Sequence, residues 1–282
     1  MHAAGAALAA ANPVLAQWID IGDSWEQVDP GPIPGYDLRL LKLTSPLVAT
    51  HKPALFITST IHAREYATEI GTLLAEHLVA RYGTDPDVTW ILDHHEVHVL
   101  LVMNPDGRKQ AEAGLLWRKN TDNDDGCGNP SLWGVDLNRN YDFEWEFSGA
   151  PCSETFSGPE ADSEPEVDAS QDYMVGLFPD QRPDDLETEA PLTAEGIFID
   201  LHSFGEVMFG PWSFLPDGGN PPNEQGLRTL SRKLAYFPGY GSELGSTGIL
   251  HGTSKDFASD GDLTRDGWHL DDLRLEAASD GM

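Results

Sequence analysis

Four residues, His62-Ala63-Arg64-Glu65, stand where the apolar run "ALFITST" (54–60) gives way to a polar turn. An imidazole and a carboxylate three positions apart can leave one turn and meet at one cation. They would supply two of the three protein ligands of a catalytic zinc, which keeps its fourth position open for water. The third ligand can come from far along the chain if it sits at the end of a neighbouring strand. His202, immediately after the apolar "GIFIDL" (196–201), meets that condition. Taken alone, the H-x-x-E spacing fits an ordinary strand-to-helix turn equally well.

A second group of chemistry-bearing residues lies in the stretch 117–165. It holds Arg118 in "WRKN" and Asn138 and Arg139 in "GVDLNRNYDFEW". A guanidinium presents a fork that suits a carboxylate, and beside a metal it stabilises a developing oxyanion. In a chain with 17 basic and 47 acidic residues, the plainer role of such arginines is to pair with local acids, Asp136 or Asp142. Two other clusters carry less. His94, Glu96 and His98 in "HHEVH" read as one face of a strand. They lie at its front, away from the carboxyl ends where ligands bind in open sheets, so no site is expected there. "TDNDDG" (121–126) has the composition of an EF-hand loop, but its glycine is misplaced, and no calcium contact is predicted.

These side chains need elements to hold them. "YDLRLLKLT" (36–44) alternates like a strand, and "ALFITST" is a continuous β-rich run of the kind buried on both faces. Residues 65–83 have helical periodicity and stop at Gly83. "HEVHVLLVMNP" (95–105) is a further strand, closed by the turn signal Asn104-Pro105-Asp106-Gly107. Strand, helix, strand makes a βαβ unit, so part of the sheet is parallel. Helices follow at 163–178 and 223–237, with a strand region at 196–212 between them. The Ala-rich start reads as a helix breaking at Asn12-Pro13. From about 117 to 165 no periodicity survives; a loop of that length in a compact domain is usually functional. The expected fold is a single α/β domain with a mixed, mostly parallel central sheet and helices on both faces.

Composition sets outer limits. A chain of 282 residues with 40% hydrophobic residues builds one large core. A net charge of −30 excludes nucleic acid and anionic membranes as partners, because like charges repel; the acidity itself reads as a soluble surface. No stretch approaches the length of a membrane span. The two cysteines, Cys127 and Cys152, form no C-x-x-C, which excludes a zinc ribbon or a thioredoxin site. By spacing alone they could be bonded or free.

Together the motifs resemble those of the M14 zinc carboxypeptidases (the carboxypeptidase A/B family). "IHAREYATE", "NPDG", "WRKN", "GVDLNRNYDFEW", "PCSETFSGPEADSEPE" and "DLHSFGEVMFGPW" follow in that family's order and at its spacing. The resemblance covers residues 12–258, and 259–282 form a divergent tail. It implies one Zn2+ held by His62, Glu65 and His202. Arg118 would stabilise the oxyanion, Asn138 and Arg139 would bind the substrate's terminal carboxylate, and Arg64 would assist substrate binding. Lys255 would line the specificity pocket and favour acidic C-terminal residues. Cys127 and Cys152 flank the "GVDLNRNY" loop as the disulfide of the animal enzymes does, which implies a bond and an exported protein, extracellular or periplasmic. No signal peptide is read in this chain.

The implied activity is zinc-dependent removal of C-terminal residues from peptides or proteins, by a monomer. Two alternatives stand beside it: a zinc- or peptide-binding relative lacking its general base, and a related zinc amidohydrolase. The chain departs from the family where that base belongs. The family's glutamate lies on a late strand and would fall near Leu270. No such strand is expected in "GWHLDDLRLEAASDGM". Glu276 has the best local pattern; Asp271 and Asp272 are nearer the count. The substrate-capping tyrosine is also missing, with Leu250 and His251 in its place.

Overall fold

Leu38, Leu40, Leu41 and Leu43 are all fully buried in the strand Asp37–Leu43 (β2). A strand with apolar side chains on both faces has to be covered from both sides. Ala54–Ser59 (β3), Glu96–Leu100 (β4) and Ile197–Leu201 (β5) repeat the pattern. Together with Ala16–Asp23 (β1), Val207–Gly210 (β6), Gly241–Leu244 (β7) and Trp268–Asp271 (β8), they form one sheet in the order β1-β2-β4-β3-β5-β8-β6-β7. β3 pairs parallel with both β4 and β5, and β5 pairs parallel with β8, whereas β1–β2, β2–β4 and β6–β8 are antiparallel. The structure is a computed structural model. It describes residues 1–31, 34–178, 181, 185–203, 205–215, 220–244, 249–258 and 268–271, with backbone alone for 68, 244, 255 and 268–271.

The helices are His2–Ala11 (α1), Trp25–Val28 (α2), Ile70–Arg81 (α3), Pro86–His94 (α4), Pro105–Glu112 (α5), Pro165–Leu177 (α6), Glu224–Tyr236 (α7) and Ser254–Phe257 (α8). On one face of the sheet, Leu41, Ile57, Val99 and Ile199 pack against Ala75 and Leu78 of α3 and Leu92 of α4. On the other, Leu40, Phe56, Leu100 and Phe198 meet Val167 and Met174 of α6 and Phe257 of α8. The strand period of two sends alternate residues to these two cores. The expected α/β architecture, a mixed sheet between two helical layers, is the one observed.

Three details differ from the sequence-based expectation. Asn104-Pro105-Asp106-Gly107 opens α5 instead of a simple turn. Asn104 Oδ1 accepts from Gly107 N at 2.9 Å, and Pro105 occupies the first helical position. The residue types that make a turn also make an N-cap. His94 ends α4, so of "HHEVH" only Glu96 and His98 share a strand face, 3.3 Å apart. The other nitrogen of His98 lies 2.6 Å from Tyr173 OH. Lastly, a strand does form inside 259–282. β8 fills the slot between β5 and β6, with Asp200 opposite Asp271. Four residues are too few to show a period, but two waiting strands supply a hydrogen-bonding frame for them.

Candidate metal centre

β3 and β5 lie side by side and parallel, with Ser59 opposite Leu201. Their carboxyl ends therefore open at one place, where ligands collect in sheets of this type. Past β3 the chain turns sharply through Thr60, at φ 62°, a left-handed conformation unusual for a β-branched residue. The turn is held from beneath. Asn104, fully buried, donates Nδ2 to Ile61 O (3.2 Å) and to Lys119 O (2.9 Å), and Ala63 N donates to Arg118 O at 3.0 Å. One asparagine thus caps α5 and binds the His62 turn to the Arg118 segment.

These constraints bring His62, Glu65 and His202 together, buried, with one ligand atom of each within 4.8 Å of the others. His62 Nδ1 lies 2.9 Å from Glu65 Oε1, His202 Nδ1 lies 3.2 Å from Glu65 Oε2, and the two Nδ1 atoms are 3.1 Å apart. Each ring has a carboxylate on its other side. His62 Nε2 is 3.1 Å from Asp136 Oδ1, and His202 Nε2 is 3.1 Å from Asp200 Oδ2. Every ring nitrogen thus faces a carboxylate; with a cation taking the two Nδ1 atoms, the proton of each neutral ring goes to Nε2, where Asp136 or Asp200 accepts it. Arg118 Nη1, donating toward His62 Nδ1 at 3.4 Å, agrees with that tautomer.

Two imidazole lone pairs and a carboxylate then face one another with no ring proton between them. A cation among them offsets their mutual repulsion, as protons on the rings would in its place. For a tetrahedron with bonds of about 2.0–2.1 Å, the ligand–ligand distance is about 3.3 Å. The observed spacings are close to it, and two His with one Glu is a donor set of catalytic zinc. The residues present fit the ion.

The surrounding electrostatics are consistent. Burial works to raise the Glu65 carboxyl, but positive charge on His62 and His202, the state of the rings when protons stand in place of a cation, outweighs it and holds it well below the usual carboxylate range. Asp136 is fully buried and is likewise held down, by Arg118, His62 and Arg139 against its desolvation. Arg118 donates Nε (3.1 Å) and Nη2 (2.8 Å) to Asp136 Oδ2. The pairing with a local acid therefore exists, and it leaves the Nη1 edge of the guanidinium turned toward His62. Asn138 accepts from Ser254 N with Oδ1 (3.0 Å), which leaves its Nδ2 3.2 Å from His202 Nε2; with that ring nitrogen protonated both atoms are donors, so this contact is not a hydrogen bond. Arg139 follows it and donates Nη1 to Asn138 O. Gly252, at φ 61°, packs so tightly under this turn that a Cβ there would collide with Arg139 O.

Other sequence-derived site residues lie elsewhere. Arg64 reaches Leu116 O (3.2 Å) and Glu154 (2.9 Å), so it stands outside the network around the three ligands. Cys127 and Cys152 form a disulfide. Lys255 belongs to α8, but its side chain lies outside the described residues, as do Glu276 and Asp272 entirely. Asp271 is placed by its backbone alone, in register with Asp200. Two residues that orient the rings, Asp136 and Asp200, are not among those the motifs single out. Asp200 also accepts from Thr58 Oγ1 (2.6 Å) and Ser254 Oγ (2.7 Å). Its place two residues before His202, on the same strand face, is a readable signal.

Comparison with known proteins agrees with this geometry. A family model described as zinc carboxypeptidase matches residues 1–267. Rat carboxypeptidase A2 is 31% identical over 225 residues, 77% of this chain and 47% of that protein. The chain spans about half the length of the curated relatives it matches. Among solved structures, carboxypeptidase A from Helicoverpa armigera superposes with a TM-score of 0.76 at 24% identity, over 98% of this chain and 64% of that one. Bovine thrombin-activatable fibrinolysis inhibitor gives 0.73 at 21%, over 99% and 86%. These two likenesses concern the fold, whereas the family match covers nearly the whole chain: the protein belongs to the zinc carboxypeptidase family.

Proposed function

We propose that this chain is a zinc-dependent carboxypeptidase that removes C-terminal residues from peptides or proteins. The observation that carries the reading is the convergence of His62 Nδ1, His202 Nδ1 and the Glu65 carboxylate beside Arg118. Bound there, zinc would supply Lewis acidity toward a peptide carbonyl and a water. The chain's own residues do the rest. Arg118, pinned by Asp136, presents donors at the edge of the cluster, where an oxyanion would develop. Asn138 and Arg139 supply a donor pair for a free C-terminal carboxylate. Fixing that carboxylate sets the last peptide bond at the cluster and turns a general hydrolase into an exopeptidase. Asp136 and Asp200 keep both imidazoles in the tautomer that offers Nδ1.

Residues 12–258 are read as the catalytic domain, acting as a monomer. The Cys127–Cys152 disulfide supports an exported location. Among the described residues no helix is long and apolar enough to cross a membrane. The test is hydrolysis of blocked dipeptides with varied C-terminal residues, with and without chelator. Chelator-sensitive turnover is expected. Zinc bound without turnover on any of them would replace this reading with the binding one. Glu276→Gln, Asp272→Asn and Asp271→Asn then identify the base, by which of them loses turnover while keeping zinc. A preference for C-terminal Glu over Phe is the outcome that Lys255 leads us to expect.

A further inference from the structure

The metal centre and the pair Asn138–Arg139 meet at Ser254, a residue to which the sequence motifs assign no role. It is fully buried and opens the short helix α8. Its hydroxyl donates to Asp200 Oδ2 at 2.7 Å, and the same oxygen faces His202 Nε2 at 3.1 Å. Its backbone N–H donates to Asn138 Oδ1 at 3.0 Å. The first N–H groups of a helix have no partner within it, so this one can bind outward. One serine thus stands between the side chain proposed to take a substrate's carboxylate and the aspartate that orients a metal ligand.

The segment that carries Ser254 is fixed on several sides. Thr253 Oγ1 accepts from Asp256 N at 3.3 Å. Asp256, also fully buried, accepts from Ser213 N with both carboxylate oxygens, at 3.0 and 3.1 Å. Tyr141 N donates to Gly252 O at 3.1 Å, which ties the segment to the turn of Asn138 and Arg139. Asp200 has a second support of a different kind. Thr58 Oγ1, from within β3, donates to Asp200 Oδ1 at 2.6 Å, and Thr58 belongs to the sheet. A shorter route between Asn138 and the ring carries no hydrogen bond, because Asn138 Nδ2 and His202 Nε2, 3.2 Å apart, are both donors.

We propose, on the reading of Asn138 and Arg139 as the carboxylate clamp, that Ser254 is a positioning residue that couples the clamp to the metal centre. Zinc at His202 and a carboxylate at Asn138 and Arg139 then favour each other's binding. A bound carboxylate fixes Asn138, whose amide oxygen holds Ser254 by its backbone. A cation on His202 fixes the ring and, through Nε2, the Asp200 oxygen that Ser254 holds by its hydroxyl. Whichever arrives first orders Ser254, and the second finds that residue already in place. By linkage the factor is the same in both directions. A purely structural Ser254 would steady Asp200 as Thr58 does, whatever occupies the clamp.

Zinc affinity is measured by competition with a chromogenic chelator, with and without 3-phenylpropionate or glutarate. These are non-hydrolysable carboxylates that mimic an apolar and an acidic C-terminal residue. The wild type should bind zinc about fivefold more tightly when the better of the two is saturating. Ser254→Ala removes the hydroxyl and keeps the backbone N–H; Thr58→Ala removes the other support of Asp200. Both should weaken zinc by about tenfold without carboxylate, and Tm checks that both fold. Only Ser254→Ala should cut the carboxylate-linked factor to below about twofold. A factor left unchanged in Ser254→Ala overturns the proposal, with direct contact between carboxylate and metal as its source. An equal loss in Thr58→Ala overturns it too, because Ser254 is then one of two equivalent supports. So does a wild-type zinc affinity indifferent to both carboxylates. The readout needs no turnover: blocked dipeptides left unhydrolysed would sink the carboxypeptidase reading and leave the coupling standing.

Discussion

Lys119 separates two buried ionisable clusters. On one side, Arg118 faces His62, Glu65 and His202; on the other, Asn120 to Asp122 face Glu164 and Glu166. Both are largely buried, and both mix carboxylates with polar side chains. In the first, every acid has a partner that favours its charge. Asp136 takes Arg118 and His62, and Asp200 takes Thr58, Ser254 and His202. Glu65 and Asp136 are accordingly held low. In the second, hydrogen bonds from Ser163, Asn120 and Trp25 N offset desolvation only in part, and Glu164 and Glu166 rise to about 8. Burial is common to both; the nearby cation is what differs, and it reverses the direction of the shift.

The strongest way to break that contrast is to unbalance the first cluster. Glu65→Gln should reduce zinc content from one equivalent toward none, and hydrolysis should fall to background. Full zinc content in that variant would remove Glu65 from the ligand set. Arg118→Ala should keep its zinc and lose about 10²–10³-fold in kcat/KM. Arg118→Lys should recover little, because the planar fork is gone. An unchanged rate would reduce Arg118 to a structural partner of Asp136. Asp200→Asn and Asp136→Asn should each weaken zinc affinity by about 10–100-fold in competition with a chromogenic chelator. Affinities equal to wild type would mean that the outer carboxylates do not orient the rings.

The smallest effect sharpens the second cluster. Asp122, Glu164 and Glu166 have folded values of about 8, above unfolded values of about 4. Their protonated forms therefore stabilise the fold at low pH, and that contribution is lost as pH rises through about 8. In zinc-loaded protein, Tm should fall by a few degrees from pH 6 to 9, and Glu166→Gln should flatten the slope. A Tm that climbs over this interval would erase the difference between the clusters.

Much of the metal centre is legible in the residue order. His62 and His202 each follow a β-rich apolar run, and such runs end at the face where parallel sheets bind ligands. Other parts are hidden for physical reasons. "NPDG" reads as a turn because N-caps and turns use the same side chains. β8 escapes a periodicity reading because four residues depend on their neighbours for pairing and show no period of their own. Asp136 and Asp200 are lost among 47 acidic residues, where no single aspartate stands out. Arg64 takes its expected role from its motif position, whereas its contacts with Glu154 and Leu116 O are set by the loop that passes it.

The sequence by itself determined the layered α/β plan, through apolar periods in strands and helices, and the identity of the chemically capable residues, through their types and local spacing. Only the tertiary structure decided which of them meet. Pairing β3 with β5 brings residues 137 positions apart to 3.2 Å. Placing α6 beside the 121–126 loop gathers acids that the chain keeps widely separated. Contact between distant side chains, and with it the sign of a buried carboxyl's shift, depends on three-dimensional neighbours that no local pattern records.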